Sequence, residues 1–295
     1  MSKASPSARR LLERGAQELA QAGVDRSRWE AEVLLRQAIG CSRETLLADL
    51  AEPVEAEATG YFFQLVDRRR GRVPLQYLLG TQEFWGLEFL VTPAVFIPRP
   101  ETEGLVEETI ARLGDRSARV ADVGCGSGCV AISIASSLPN SRVYATEISP
   151  AALAVARENA NRNGVSSRIE FLQGDLLAPL VSMSTPPVLD LVVSNPPYVP
   201  EVDMAGLQPE VKEHEPRVAL AAGPDGLDAM RRLLPQAKSV LAPGGLVLLE
   251  IGMGMEQRVK DLIAETGLSW ETTVPDLQGF PRVVVAVKPQ TGQPD

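Results

Sequence analysis

The chain has 295 residues, of which 44% are hydrophobic and 23% charged, which suffices for one large or two ordinary domains and excludes an intrinsically disordered protein. Its net charge of −9 predicts no stable nucleic acid binding, because proteins that grip long nucleic acids normally present a basic face to the phosphates. No apolar run reaches the roughly 18 residues of a membrane span, and no apolar signal segment precedes the first helical pattern. We therefore expect a cytoplasmic protein that does not associate with membranes.

Residues 1–72 show the three- and four-residue apolar spacing of amphipathic helices. The clearest apolar stripes consist of Leu11, Leu12, Ala16 and Leu19 and of Trp29, Val33, Leu34 and Ala38. Ser42 is placed to cap a third helix, and Gly71 is placed to end a fourth. Four short helices without strands predict a small helical domain over residues 1–72.

Residues 73–98 are richer in aromatic and β-branched residues, and the run is broken at Gly80, Gly86 and Pro93. This composition favours strands over a helix. We expect a β-hairpin linker over residues 73–98.

From residue 99 onward, apolar strand patterns alternate with helix patterns, which predicts an α/β domain over residues 99–295. Each strand is a nearly continuous apolar run, as in a parallel sheet covered on both faces. Ser149 and Pro150 are a typical first pair of a helix, which Gly164 ends. The last two strand patterns flank a loop around Gly279, so we expect an antiparallel pair at the end of the sheet.

The sequence Asp122 to Gly128, DVGCGSG, lies between the first strand of this domain and its helix. Gly124 and Gly126 allow the backbone to approach a ligand, and Gly128 allows close packing of helix and strand. Glu147 ends the next strand, where a carboxylate can bind the hydroxyls of a ribose. The spacing differs from that of dinucleotide folds, and Asp122 suits a cationic ligand such as S-adenosylmethionine; the alternatives are a tight turn and a loop-capping carboxylate.

Three further residues near this loop have ordinary alternatives. Asp175 follows the third strand and is placed to meet an adenine amino group, although an Asp after a Gly is also typical of a turn. Cys125 and Cys129 are four residues apart, but no third ligand is within reach, so we predict packing residues and no metal site.

The sequence NPPY, Asn195 to Tyr198, follows the fourth strand of the domain, so it faces the same crevice as the glycine loop. Pro196 and Pro197 have no backbone N–H, which leaves carbonyl oxygens as acceptors beside the Asn195 amide oxygen. Acceptors next to the flat ring of Tyr198 suit a planar NH2 group. A plain turn is the alternative.

Together, DVGCGSG and NPPY resemble the class I methyltransferases that modify planar nitrogens, and further segments narrow the resemblance to the release-factor glutamine methyltransferases, the HemK or PrmC family. Those segments are GRVPLQYLLGTQEFWGLEF, FIPRPETE, SNPPYVP, EVKEHEPRVALAAGPDGLDAMRRLL and DLQGFPRVVVA. The family implies a Rossmann-like seven-stranded sheet, parallel except for one antiparallel strand near the C-terminus. It also implies a monomer that methylates the glutamine of the Gly-Gly-Gln motif in class I peptide chain release factors, with residues 1–72 recognising that substrate protein.

The resemblance also assigns the site residues. S-adenosylmethionine is the implied cofactor, and its implied binding residues are Gly124, Cys125, Gly126, Ser127, Gly128, Glu147, Asp175, Leu176 and Asn195. The implied substrate residues are Asn195, Pro196, Pro197 and Tyr198, of which Asn195, Pro196 and Tyr198 are the expected catalytic residues. His214 replaces the family's usual aromatic residue, and we interpret this histidine as structural.

Our mechanistic hypothesis is that Asn195 Oδ1 and the Pro196 carbonyl accept the two amide protons of the glutamine while Tyr198 stacks on its plane. No catalytic residue then needs to titrate near neutral pH. The rivals are an adenine-N6 methyltransferase, which acts on another planar NH2 group, and a non-catalytic cofactor-binding protein. Two segments stay open. PRPETE is either a helix start capped by Thr102 or by its early glutamates, or a wall of the cofactor pocket. The basic run Arg68–Arg72 is either a solvated helix end or a docking patch for RNA or an acidic partner surface.

Overall fold

The computed structural model describes residues 5–290, which form two units. The helical unit covers the chain up to Gly80 together with Gln208–His214. The α/β unit covers Thr81–Leu207 and the chain from Glu215 onward.

Twelve α-helices and nine strands lie within the described residues. The helices are α1 (Ala8–Gln21), α2 (Ser27–Ile39), α3 (Arg43–Ala48), α4 (Ala56–Arg70), α5 (Leu75–Leu79), α6 (Glu103–Leu113), α7 (Cys129–Ser137), α8 (Pro150–Arg162), α9 (Ala178–Val181), α10 (Pro209–His214), α11 (Asp228–Val240) and α12 (Glu256–Glu265). The strands are β1 (Thr81–Phe84), β2 (Leu87–Leu90), β3 (Arg119–Val123), β4 (Arg142–Glu147), β5 (Ile169–Gln173), β6 (Leu189–Ser194), β7 (Leu241–Glu250), β8 (Ser269–Pro275) and β9 (Pro281–Val287). None of the helices between residues 5 and 290 is long and apolar enough to span a membrane.

The core of the helical unit forms where the apolar faces of α1, α2 and α4 meet. Phe62 lies at its centre. Gly15 of α1 permits the close approach to this ring, because a Cβ at that position would lie 2.5 Å from it. The predicted cap of α3 is confirmed, since Ser42 Oγ accepts the N–H of Thr45. Trp29 does not join the predicted stripe: it is 44% exposed and lies under the guanidinium of Arg26 at 4.6 Å.

Ion pairs attach α10 to the rest of this unit. The Arg69 side chain contacts Glu30 Oε2 at 2.5 Å and Glu210 Oε1 at 2.9 Å, and Arg72 also contacts Glu210, at 2.8 Å. Two arginines of the basic run are therefore used inside the unit. His214 Nε2 lies 3.1 Å from the carbonyl oxygen of Gly71, a contact that agrees with a structural histidine.

The segment 73–98 contains the expected hairpin, β1 and β2, but begins with a helix, α5, that the sequence analysis did not predict. Leu75, Leu78 and Leu79 have helical spacing, and Pro74 and the left-handed Gly80 bound the helix. The aromatic and β-branched residues that follow dominated the composition of the segment and hid this short pattern.

The hairpin turn uses two left-handed residues, Trp85 (φ +54°) and Gly86 (φ +69°), as a two-residue turn between antiparallel strands requires. A tryptophan in this region costs about 1 kcal/mol. Two hydrogen bonds hold it there: its backbone N–H donates to Glu103 Oε1 at 2.8 Å, and its indole N–H donates to Ser137 Oγ at 3.1 Å. Glu103, a glutamate of PRPETE, thus fixes the hairpin.

The seven-stranded sheet of the α/β unit has the order β5-β4-β3-β6-β7-β9-β8, and only β9 runs against its neighbours. Leu191 and Val193 enter one apolar cluster and Val192 the other, so β6 is buried on both faces. The predicted fold class is confirmed. Since β3 to β7 are parallel, their carboxyl ends share one edge, and the loops that follow them converge there.

Candidate active site

A cavity of about 370 Å³ lies in the α/β unit at the carboxyl edge of the sheet. The predicted site residues that line it are Gly124, Cys125, Gly126, Ser127, Glu147, Asp175, Leu176, Asn195, Pro197 and Tyr198. Gly128 and Pro196 are not among the residues that line it. A Cβ on Gly128 would meet Ile132 Cδ1 at 2.9 Å and Ala156 Cβ at 3.2 Å, so this glycine allows α7 and α8 to pack.

The glycine loop turns its backbone toward the cavity. Gly124 and Gly126 have φ angles of +72° and +54°, a region that favours glycine. A Cβ on either residue would meet no protein atom within 4 Å and would project into open space. The loop therefore forms a cradle that side chains would fill.

Glu147, at the end of β4, braces this cradle. Its Oε2 accepts the N–H of Gly126 at 3.0 Å, and its Oε1 accepts the N–H of Ser149 at 2.9 Å. The residue is only 8% exposed, yet it lines the cavity. Each carboxylate oxygen keeps a lone pair that a ligand hydroxyl can use.

Asp122, at the end of β3, is a buried carboxyl group in the cavity wall. Its Oδ2 accepts the N–H of Ala131 at 2.9 Å, so Asp122 caps the start of α7. A capping carboxylate was the alternative to a ligand-binding role in the sequence analysis. Burial raises the pKa of Asp122 to about 7, against the effect of that hydrogen bond, and the nearby charge of Glu147 raises it further. A cation in the cavity would favour the ionised form.

Asp175 and Leu176 follow β5 at the far side of the cradle. The Asp175 carboxylate forms an ion pair with Arg232 of α11, a cavity residue that the sequence analysis did not identify. Leu176 is left-handed (φ +50°), and Gly174 approaches the ring of Pro179 so closely that a Cβ would lie 2.3 Å from its Cγ. The turn is thus fixed by packing, which brings the backbone of Leu176 to the cavity.

Asn195 stands at the end of β6, and its side chain is held by two residues that sequence reasoning missed in this role. Asn195 Nδ2 donates to Thr102 Oγ1 at 3.1 Å, and Thr102 Oγ1 donates to Glu250 Oε2 at 2.7 Å. Of the two alternatives for PRPETE, the Thr102 cap is not formed, since its side chain makes no capping hydrogen bond to α6. Pro98 and Thr102 line the cavity. The available signal was that Glu250 ends an apolar strand, β7, at the same edge of the sheet.

The rest of NPPY is held by the segment 220–226. Val199 N–H donates to the Leu220 carbonyl at 2.9 Å, and Ala222 N–H donates to the Val199 carbonyl at 3.0 Å. Gly226 permits this approach, because a Cβ there would lie 2.5 Å from the Tyr198 carbonyl oxygen. Burial raises the pKa of Tyr198 to about 12, so its hydroxyl stays neutral and its half-buried ring offers a flat face.

The two cysteines of the loop are protonated. Burial raises the pKa of Cys129 to about 12 and that of Cys125 well above its usual value. Between residues 5 and 290, no group of three His, Cys, Asp or Glu side chains is placed to hold a metal ion. The cavity therefore combines a backbone cradle and acidic groups on one side with oxygen acceptors and an aromatic plane on the other.

Solved methyltransferases share this fold. The hMettl16 catalytic domain in complex with MAT2A 3′UTR hairpin 6 superposes with a TM-score of 0.57 at 17% identity, over 76% of this chain and 81% of that one. The T. thermophilus 16S rRNA N2 G1207 methyltransferase (RsmC), in complex with AdoMet and guanosine, gives a TM-score of 0.50 at 20% identity, over 70% and 49%.

Sequence comparison identifies the family. Residues 10–80 match the PrmC N-terminal domain, and residues 100–207 match the methyltransferase small domain. The release factor glutamine methyltransferase of Moorella thermoacetica is 50% identical over 95% of this chain and 98% of its own length. That of Geobacter sulfurreducens is 45% identical over 90% and 91%. The predicted resemblance is confirmed, and the chain belongs to the release factor glutamine methyltransferase family.

Proposed function

We propose that the protein transfers a methyl group from S-adenosylmethionine to the side-chain amide nitrogen, N5, of the glutamine in the Gly-Gly-Gln motif of class I peptide chain release factors. The observation that carries this proposal is the Asn195 amide, whose NH2 group is bound by Thr102 and whose oxygen is left to accept a planar NH2 group beside Tyr198. Family membership supports the choice of glutamine over other planar nitrogens.

The residues of the cradle fit S-adenosylmethionine. The positive-φ glycines leave room for a ligand against the backbone of Gly124 to Gly128, and the free lone pairs of Glu147 suit ribose hydroxyls. The buried Asp122 carboxyl and the glutamate give this wall a negative character that suits a cationic ligand. We assign Cys125, Ser127, Asp175 and Leu176 to the same site. The cofactor supplies an electrophilic methyl group on a sulfonium.

The glutamine amide needs help because its nitrogen lone pair is delocalised into the carbonyl. Asn195 Oδ1 and the Pro196 carbonyl accept its two N–H groups and stabilise the positive charge that develops on nitrogen. Tyr198 stacks on the amide plane, and Pro197 closes the same wall. With the cofactor held in the cradle, the nitrogen would take the methyl group with the thioether as the leaving group, and the methylated nitrogen would release one proton to water.

The organisation of the chain around this chemistry belongs to the same proposal. We assign recognition of the substrate protein to residues 1–72, a linker role to residues 73–98 and catalysis to residues 99–295. A monomeric, cytoplasmic protein without stable nucleic acid binding stays a prediction from the sequence.

The test is methyl transfer from labelled S-adenosylmethionine to a purified release factor, to its Gln→Ala variant in the Gly-Gly-Gln motif, and to nucleic acid. Label on the wild-type factor alone, mapped to the glutamine by mass spectrometry, is the expected result. Label on nucleic acid would favour the adenine-N6 alternative, and no label on any substrate would favour a non-catalytic cofactor-binding protein.

A further inference from the structure

We propose that Glu250 and Thr102 are positioning residues that orient the Asn195 side-chain amide, so that its oxygen, and not its NH2 group, faces the substrate. This inference rests on the proposed function, since it concerns the acceptor of the glutamine amide.

Three elements that are distant in sequence meet at this point. Thr102 lies in the turn before α6, Asn195 follows β6, and Glu250 ends β7. Thr102 is 3% exposed and Glu250 is 2% exposed, and only Thr102 and Asn195 reach the cavity. Glu250 therefore acts from behind, through the other two side chains.

The direction of the hydrogen bonds follows from proton counting. An ionised carboxylate can only accept hydrogen bonds, so the single O–H of Thr102 donates to it, with 2.7 Å between Thr102 Oγ1 and Glu250 Oε2. The hydroxyl then has only lone pairs left, and it must accept from Asn195, whose Nδ2 lies at 3.1 Å. Asn195 also lowers the pKa of Glu250, as an NH2 group near a carboxylate does. Within residues 5–290, the Asn195 side chain hydrogen-bonds through Nδ2, which leaves Oδ1 for the substrate.

A carboxyl group is a costly choice for a buried structural position. Burial and the nearby charge of Glu101 raise the pKa of Glu250, whereas Thr102, Arg282 and Asn195 lower it. The net result is a pKa of about 7. Tyr198 and Cys129, the remaining titratable neighbours, stay neutral because burial raises the pKa of each to about 12. Both protonation states of Glu250 are therefore populated near neutral pH.

Protonation of Glu250 reverses the direction of these hydrogen bonds. A neutral Glu250 can donate a hydrogen bond to Thr102 Oγ1. The Thr102 hydroxyl can then donate its own hydrogen bond to Asn195 Oδ1, once the amide has rotated by half a turn. The rotated amide would present NH2 to a substrate NH2, which is a repulsive arrangement. The catalytic residues themselves still do not titrate, but the residue behind them does, so we expect kcat to rise as the pH passes through about 7.

The kinetic test compares Glu250→Gln, Thr102→Val and Thr102→Ser with the wild type. Glu250→Gln keeps the shape but can donate as well as accept, and Thr102→Val removes the hydroxyl. Each should lower kcat for release-factor methylation by about 10- to 100-fold while cofactor Kd stays within about threefold, and Thr102→Ser should restore most of kcat. Thr109→Val is the matched control, because Thr109 is equally buried on α6 and its hydroxyl donates to the Leu105 carbonyl.

A second readout needs neither cofactor nor substrate. In ¹⁵N NMR spectra of the wild-type protein, the side-chain NH2 signals of Asn195, assigned by their loss in Asn195→Ala, should move with a midpoint near pH 7. In Glu250→Gln they should not move. The inference would be overturned if the Asn195 NH2 signals of the wild type did not change with pH, or if kcat were unchanged in Glu250→Gln.

The outcomes separate this inference from the proposed function. If the wild type methylates the glutamine but Glu250→Gln is as fast, only the positioning role fails. If the wild type labels nucleic acid, the proposed function fails, while the NMR titration still decides how the Asn195 amide is oriented.

Discussion

The two sides of the cavity are built by different means. On the glycine side, main-chain conformation sets the shape, because Gly124 and Gly126 lie within a few residues and their positive φ angles open the space. On the acceptor side, the side chain of Asn195 is oriented by Thr102, 93 residues away, which in turn binds Glu250, 148 residues further on. A local sequence motif therefore shapes the ligand-binding cradle, whereas hydrogen bonds between distant residues orient the Asn195 side-chain amide toward the substrate.

Gly126→Ala should have the largest effect on cofactor affinity, and it should act on the glycine side alone. The added Cβ projects into the cradle, so we expect cofactor Kd to rise by about 10- to 100-fold, with kcat at saturating cofactor within a few-fold of wild type. Equilibrium binding and saturation kinetics measure the two quantities.

Gly40→Ala is the matched control for this change. Gly40 has φ +75°, nothing lies within 4 Å of its Cβ position, and it ends α2 in the helical unit. It carries a similar conformational cost, roughly 1 kcal/mol. A loss of cofactor affinity in both variants would mean that strain, and not filling of the cradle, causes it.

Tyr198 should show the opposite split. Tyr198→Ala removes the flat face and should lower kcat/KM for the release factor by about tenfold, with little change in cofactor Kd. Tyr198→Phe should stay close to wild type, because burial raises the pKa of Tyr198 to about 12 and its hydroxyl remains neutral. A large defect in Tyr198→Phe would show that the hydroxyl, and not the ring, is required.

Each side contains one buried carboxyl group whose pKa is raised to about 7, and both groups should make the fold less stable at higher pH. Burial raises the pKa of Asp122 and of Glu250 to about 7, so the native state binds these protons more tightly than the unfolded chain. Their contribution is full below the unfolded pKa values of about 4 and is lost as the pH rises through about 7. The free energy of unfolding should fall between pH 5 and pH 8, by at most roughly 3 kcal/mol per carboxyl.

Denaturant titrations at the two pH values check this prediction, and each of Asp122→Asn and Glu250→Gln should reduce the difference. The functional consequences should differ: the Glu250 titration should be seen in kcat, and that of Asp122 in cofactor affinity. Equal stability at pH 5 and pH 8 in the wild type would contradict the raised pKa values.

Arg232→Gln should have the smallest effect. The Arg232–Asp175 ion pair is half exposed, with side chains 57% and 41% accessible, and such pairs contribute about 0–1 kcal/mol. We expect cofactor Kd to change by less than about threefold, and less at high salt. A change of tenfold or more would mean that Arg232 contacts the ligand directly.

The sequence carried the local features well. The strand–loop–helix pattern around DVGCGSG, the caps at Ser42 and Ser149, and the antiparallel strand near the C-terminus depend on neighbouring residues, and the structure confirms them. Helix α5 was missed because its three leucines stand beside a longer strand-like segment, and Trp29 was misplaced because an apolar spacing does not tell which end of a stripe is exposed.

Features that depend on tertiary contacts could not be predicted. Thr102 fits a helix start and Glu250 fits a solvated strand end. The pairing of β6 with β7 brings Glu250 close to Asn195, and the packing of α6 against these strands brings Thr102 there. Arg232 likewise reaches the cavity because α11 packs beside the loop after β5. The sequence places Glu250 at the end of an apolar strand, but it does not show which distant side chains that carboxylate meets.

The most direct test of this account is the single-turnover rate of methyl transfer to the release-factor glutamine, measured at saturating cofactor for the wild type and for Asn195→Ala. Asn161→Ala, on the exposed side of α8, is the control. We predict a fall of about 100-fold or more in Asn195→Ala with cofactor Kd nearly unchanged, because an acceptor for the developing charge is lost. An unchanged rate, or losses of rate and affinity of equal size, would contradict the claim that Asn195 holds the substrate amide.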